Sequence, residues 1–167
     1  MATEYDWSRF VKRININAPA EQLYKAWVTR AGIESWFLRM GEFSEANGSL
    51  LPNDTPVQKG NKYTWRWFGY PDDTTECGEI IEANGKDMLV FTFATQMKVR
   101  IKIKTEEGEN LVELEQYDIP VNEKGKTNFH IGCMEGWVFY LANLKSIVEG
   151  GIDLRNKNEK LEKVINS

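Results

Sequence analysis

The chain has 167 residues, 41% hydrophobic and 28% charged, which suits one domain with a sizeable core and excludes a disordered chain. A net charge of −4 gives no general attraction to nucleic acid or anionic lipid, and no apolar run reaches transmembrane length. Cys77 and Cys133 are too few for a disulfide framework, and the start MATEYDWSRF has no secretion-signal core. The expectation is therefore a cytoplasmic protein with free thiols and no membrane insertion.

In chain order, Arg9–Asn17 reads as a first strand with Phe10, Ile14 and Ile16 on one side. Pro19 suits a helix start, and a helix to about Thr29 buries Leu23, Tyr24 and Trp27. A second short helix, Ala31–Leu38, buries Ile33, Trp36 and Phe37. A short strand near Glu42–Ala46 leads into the Gly/Pro/Asn-rich loop Asn47–Asn61, a candidate lid. Five further strands follow, at Lys62–Gly69, Thr75–Glu82, Asp87–Ala94, Met97–Thr105 and Leu111–Asp118.

Asn84-Gly85 reads as a two-residue hairpin turn, placing Ile80 opposite Leu89, Gly78 opposite Phe91 and Glu76 opposite Phe93. A turn at Glu107-Gly108 pairs Ile103 with Val112 and Ile101 with Leu114. On the other face it pairs Lys102 with Glu113 and Arg100 with Glu115. The basic stripe Lys98, Arg100, Lys102, Lys104 is then largely neutralised, which argues against a nucleic-acid surface.

From about Thr127 to Gly151 the spacing of Trp137, Leu141, Leu144 and Val148 predicts one long helix, with His130 and Met134 extending the buried stripe. Asn143, Lys145, Ser146 and Glu149 read as its water face, and Gly150-Gly151 as its end. Gly132 and Gly136 either admit a close neighbour or mark a ragged first turn. The tail from Asp153 to Ser167 reads as a weak helix or a frayed end.

Several stretches then carry a family resemblance. They are Ala18-Pro19 with Trp27 and Trp36-Phe37, Gly60 before Tyr63-Thr64-Trp65, Gly136-Trp137 with Tyr140-Leu141 and Asn143-Leu144, and Glu149-Gly150-Gly151 before Asp153-Leu154-Arg155. Over roughly residues 9–155 the chain resembles the START/birch-pollen-allergen (SRPBCC) superfamily, in the branch named for an activator of the ninety-kilodalton heat-shock chaperone ATPase, homologue-one-like. The resemblance implies an α+β helix-grip fold, in which a curved antiparallel sheet of six to seven strands wraps a long C-terminal helix. It covers a single domain, 1–167, with a core over about 9–151 and a tail over 152–167. It also implies a chamber for a hydrophobic ligand; a minority of the superfamily are cyclases or dehydratases. The activator name belongs to a protein with an additional domain that nothing here resembles.

The expected chamber lining is Trp65, Trp67, Glu76, Phe91, Phe93, Met97, Val99, Gln116, His130, Cys133, Trp137 and Leu141. Those aromatics either line a chamber or fill it. Glu76 is either a carboxylate with raised pKa on the inner face or a solvated rim residue. His130 is the only histidine, which excludes a multi-histidine metal site, and its spacing to Cys133 allows a dyad that lacks an orienting third group. The expectation is thus ligand binding or transport by a monomer or homodimer, with no catalytic residues, metal or cofactor. The alternatives are a chaperone-associated stress co-factor and a small-molecule cyclase or dehydratase.

Overall fold

The computed structural model describes residues 3–165. Alternating apolar residues build seven strands: β1 (Phe10–Asn15), β2 (Met40–Ser44), β3 (Lys62–Arg66), β4 (Glu76–Ala83), β5 (Met88–Phe93), β6 (Met97–Glu106) and β7 (Glu109–Tyr117). Helices α1 (Ala20–Val28) and α2 (Arg30–Trp36) separate β1 from β2. A π-helical segment, Gly125–Ile131, runs directly into the long α3 (Gly132–Val148). The sheet order is β1-β7-β6-β5-β4-β3-β2, every pair antiparallel, so a meander from β2 to β7 is completed by β1 alongside β7. This is the α+β helix-grip fold, with α3 covering the sheet.

Period-two patterning sets the inner face. On β6, Met97, Val99, Ile101 and Ile103 are buried while the intervening Lys98, Arg100, Lys102 and Lys104 face outward. The β6–β7 register has all four expected pairs, Ile103 with Val112, Lys102 with Glu113, Ile101 with Leu114 and Arg100 with Glu115. Outside, Arg100 pairs with Glu115 at 2.8 Å, Lys104 with Glu113 at 2.9 Å and Lys98 with Asp118 at 2.6 Å.

The β4–β5 hairpin differs from the two-residue expectation. Asn84 Oδ1 accepts the N–H groups of Lys86, Asp87 and Met88 at 3.0, 2.9 and 2.9 Å, closing a longer loop. Ala83 therefore opposes Leu89, and a bulge before Glu82 brings Ile80 opposite Phe91. An Asn side chain that holds three backbone donors overrides the turn preference of the Asn-Gly pair.

Loop 47–61 is stapled down and does not hang as a lid. Val57 is buried and its N–H donates to Val28 O at 2.8 Å, while Ala31 N–H reaches Asn53 O at 3.0 Å. α3 ends as its glycines require: Gly150 takes φ +86°, Gly150 N–H returns to Ile147 O and Gly151 N–H to Ser146 O. Two expectations near that end are corrected. Asn143 is fully buried rather than wet, donating to Trp36 O at 2.7 Å and accepting Leu154 N–H at 2.7 Å.

The tail, over its described residues 153–165, is not helical, and it is anchored rather than frayed at Arg155. The Arg155 guanidinium is buried at the end of α2, donating to Glu34 O, Ser35 O and Leu38 O at 3.0–3.1 Å. A cation there meets the carbonyl end of a helix, where its charge is favoured. Asp153 and Arg155 also lock together, at 2.8 Å between Nη2 and Oδ2.

Candidate functional site

Between sheet and α3 the aromatics fill space. Trp65 stacks on Tyr63 at 3.9 Å and meets Phe91 edge-on at 5.2 Å. Trp137 stacks on Phe37 at 5.0 Å and approaches Phe93 at 5.4 Å and Trp27 at 6.0 Å. A Cβ on Gly78 would lie 2.5 Å from the Tyr63 ring. The room is occupied by that ring, whose hydroxyl donates to Thr92 O at 2.6 Å.

Set in this apolar mass is a short polar chain. Gln116, fully buried, accepts Trp137 Nε1–H at 2.8 Å and places its amide 3.4 Å from Met97 Sδ. Cys133 hydrogen-bonds with the same Gln116, and burial pushes its thiol up, so the sulfur stays protonated. Val99, Phe91 and Leu141 are buried beside this chain. The indole N–H groups of Trp27 and Trp65 are buried without a hydrogen-bond partner.

Glu76 is half-buried at the first position of β4 and its carboxylate is hydrogen-bonded rather than free. Its Oε1 accepts Ala94 N–H at 2.7 Å, and the Thr95 N–H also bonds its carboxylate. Ala94 and Thr95 turn the chain from β5 into β6 with φ +46° and +80°, a region L-residues adopt at a cost. The carboxylate holds that turn in place. Burial raises the Glu76 pKa against the pull of the two N–H donors.

His130 stands apart from the other expected lining residues. It is buried by the N-terminal segment, with Nε2 2.8 Å from Tyr5 Oη and Nδ1 2.9 Å from Trp7 O. A carbonyl can only accept, so Nδ1 carries a proton, while the tyrosine hydroxyl can serve Nε2 as either donor or acceptor. Both ring nitrogens are thereby engaged away from Cys133, and the dyad is not formed. Among the described residues no three His, Cys, Asp or Glu side chains gather as a metal-holding group. Nor, among those residues, is any helix long and apolar enough to cross a membrane.

Open space lies one layer further out. A groove of about 840 Å³ runs beside α3, lined among others by Trp67, Tyr70, Met134, Gly136, Phe139 and Tyr140, with Val164 and Ile165 of the tail. A Cβ on Gly136 would meet nothing within 4 Å, so this glycine opens the groove where a side chain would otherwise stand. Trp67 is the one member of the expected lining that borders the groove; the others form the packed floor or lie elsewhere. Tyr70, Phe139 and Tyr140 were not among the expected lining residues. The available signal was Val138-Phe139, a bulky apolar pair off the Trp137–Leu141 stripe.

The profile described as "Activator of Hsp90 ATPase homolog 1-like protein" matches residues 17–149. The chain belongs to this family. Solved structures similar to this family member include the protein SSP2350 from Staphylococcus saprophyticus, with 19% identity and TM-score 0.66, covering 88% of this chain and 96% of that one. The Aha1 dimer from Colwellia psychrerythraea matches at 18% identity and TM-score 0.64, over 86% and 97% of the two chains. DynU16, a putative protein of the dynemicin biosynthetic locus, matches at 14% identity and TM-score 0.67, over 90% of this chain and 50% of its own. At such identities these likenesses speak for the fold alone. No curated protein matches the sequence significantly.

Proposed function

We propose that the protein binds a small hydrophobic molecule in the groove beside α3, with the aromatic layer as its rigid floor. The observation that carries this reading is the groove itself, about 840 Å³ and rich in aromatic side chains, opened by the bare backbone of Gly136. That volume lies within the range of small-molecule sites, roughly 300–1,000 Å³. The packed interior supports binding at the groove over binding in a central chamber, because a ligand among Trp65, Phe91 and Trp137 would have to displace close-packed rings. Catalysis is not part of the proposal: Glu76 is committed to a turn and Cys133 is a protonated, half-buried thiol.

Native mass spectrometry of freshly purified protein is expected to show a co-purified apolar adduct. Titration with the neutral probe N-phenyl-1-naphthylamine is expected to saturate at one site and to be abolished by Gly136→Leu. Binding that is unaffected by this substitution would place the site elsewhere.

A second reading draws on the family's description and on the outward-facing Ile131 just before α3. Here the protein is a chaperone co-factor acting through its outer surface. It predicts that added protein raises the ATPase rate of the ninety-kilodalton chaperone, and that Ile131→Glu removes the effect. An unchanged rate would end this reading.

A further inference from the structure

On β1 the alternation that builds the inner face of the sheet is broken at one position. Phe10, Lys12 and Ile14 stand opposite Gln116, Leu114 and Val112 of β7, all three fully buried on the inner side. Successive side chains of a strand point to opposite faces, so Lys12 shares the inner face with Phe10 and Ile14, where an apolar residue is the ordinary choice. The cations flanking it along the strand are matched: Arg13 pairs with Glu106 and Glu113, and Arg9 with Glu115 at 2.8 Å. Lys12 makes no ion pair and no side-chain hydrogen bond among the described residues.

This half-buried lysine borders the groove beside α3. It reaches the groove from the edge strand β1, whereas Trp67 and Thr74 come from the β3–β4 connection, and Met134, Gly136 and Phe139 from α3. Among the described lining residues Lys12 is the one cation and Glu135 the one carboxylate. Glu135 is exposed and forms no ion pair with Lys12. Water and salt screen an exposed charge, so Glu135 leaves the ammonium without a close counter-charge. In an apolar pocket a few placed polar groups fix the orientation of the ligand, and an unmatched ammonium selects a negative charge.

We propose that the groove takes an apolar molecule bearing one carboxylate, its hydrocarbon against Trp67, Met134 and Phe139 and its carboxylate on Lys12 Nζ. The proposal rests on the reading of the groove as the ligand site and adds the chemical class of the ligand. A carboxylate on a half-buried ammonium makes a charge-assisted hydrogen bond, which a neutral head group of the same size does not. Lys12 therefore discriminates by charge, while the aromatic wall holds any chain of suitable length.

The test uses the full chain at neutral pH, with N-phenyl-1-naphthylamine as the neutral reporter and decanoate and 1-decanol as competitors of equal chain length. Lys12→Gln is expected to raise the decanoate concentration for half-displacement about three- to tenfold, and to leave decanol and the reporter unchanged. Lys12→Glu is expected to weaken decanoate further, and Lys12→Arg to keep it. Unchanged reporter affinity shows at the same time that each variant is folded with its groove intact. If Lys12→Gln weakens decanoate and decanol equally, or neither of them, the charge recognition is overturned and the groove stands. The same holds if decanol displaces the reporter from the parent protein and decanoate does not. Reporter binding that survives Gly136→Leu overturns the groove and its charge preference together.

Discussion

Glu76 shows how one carboxylate is spent on geometry. Its two backbone partners stand in the left-handed region, and Thr95 is branched at Cβ, the least suitable side chain for φ +80°. Thr95→Gly is expected to stabilise the protein by roughly 1 kcal/mol, read as a shift of the urea midpoint at unchanged slope. Glu76→Ala removes the acceptor from two turn donors and is expected to cost about 1–3 kcal/mol. The pH dependence follows from the sign of the shift. A carboxyl whose pKa is raised on folding holds its proton more tightly in the folded state. Its stabilising contribution is complete below the ordinary value of 4.5 and fades as pH rises through the raised value. Glu76→Gln should flatten that part of the profile while keeping the turn's acceptor; an unaltered profile would mean that Glu76 is solvated after all.

At the scale of elements, α3 serves as cover on one side and groove on the other, and its glycines are placed accordingly. Gly136→Leu puts a good helix former where nothing crowds it, so it should stabilise the fold by up to about 1 kcal/mol while it blocks the groove. A raised melting temperature with lost probe binding separates occlusion from unfolding. The post-helix anchor is the opposite case. Arg155→Ala leaves Asp153 and three carbonyls at and just past the end of α2 without their buried cation and is expected to cost about 3–5 kcal/mol. Arg155→Lys should not restore it, since an ammonium cannot span the fork. Burial opposes ionisation of Asp153, yet its hydrogen bonds with Arg155 and Lys157 prevail and hold it well below the usual carboxylate range. Its contribution is therefore complete above its ordinary pKa of 3.8 and lost as pH falls through the depressed value. A chemical-denaturation series on the acid side of pH ~4 should show that loss in the parent and not in Asp153→Asn.

Over the whole molecule one aromatic network ties sheet, helix pair and α3 together, with Phe37 touching Trp36, Trp65, Trp67, Trp137 and Tyr140. Trp137→Ala is expected to cost about 3–5 kcal/mol, because it leaves a void at the centre of this network and frees Gln116 Oε1. The order of elements and the β6–β7 register were legible in the sequence, since a period of two or 3.6 is a local property that burial of one face enforces. The closing glycines of α3 were legible for the same reason: the conformation they adopt belongs to the residue itself. Other features depended on partners distant in the chain. Asn143 reads as a wet residue until Trp36 O and Leu154 N–H are brought beside it, and Arg155 reads as tail until α2 ends against it. Whether tryptophans line a hollow or fill it is a question of volume, which depends on where Tyr63 and Phe37 place their rings. The sequence thus determined the periodic elements and which faces are apolar. Only the tertiary structure decided that the interior is closed and that the free space lies beside α3, because packing is settled by contacts between residues far apart in the chain.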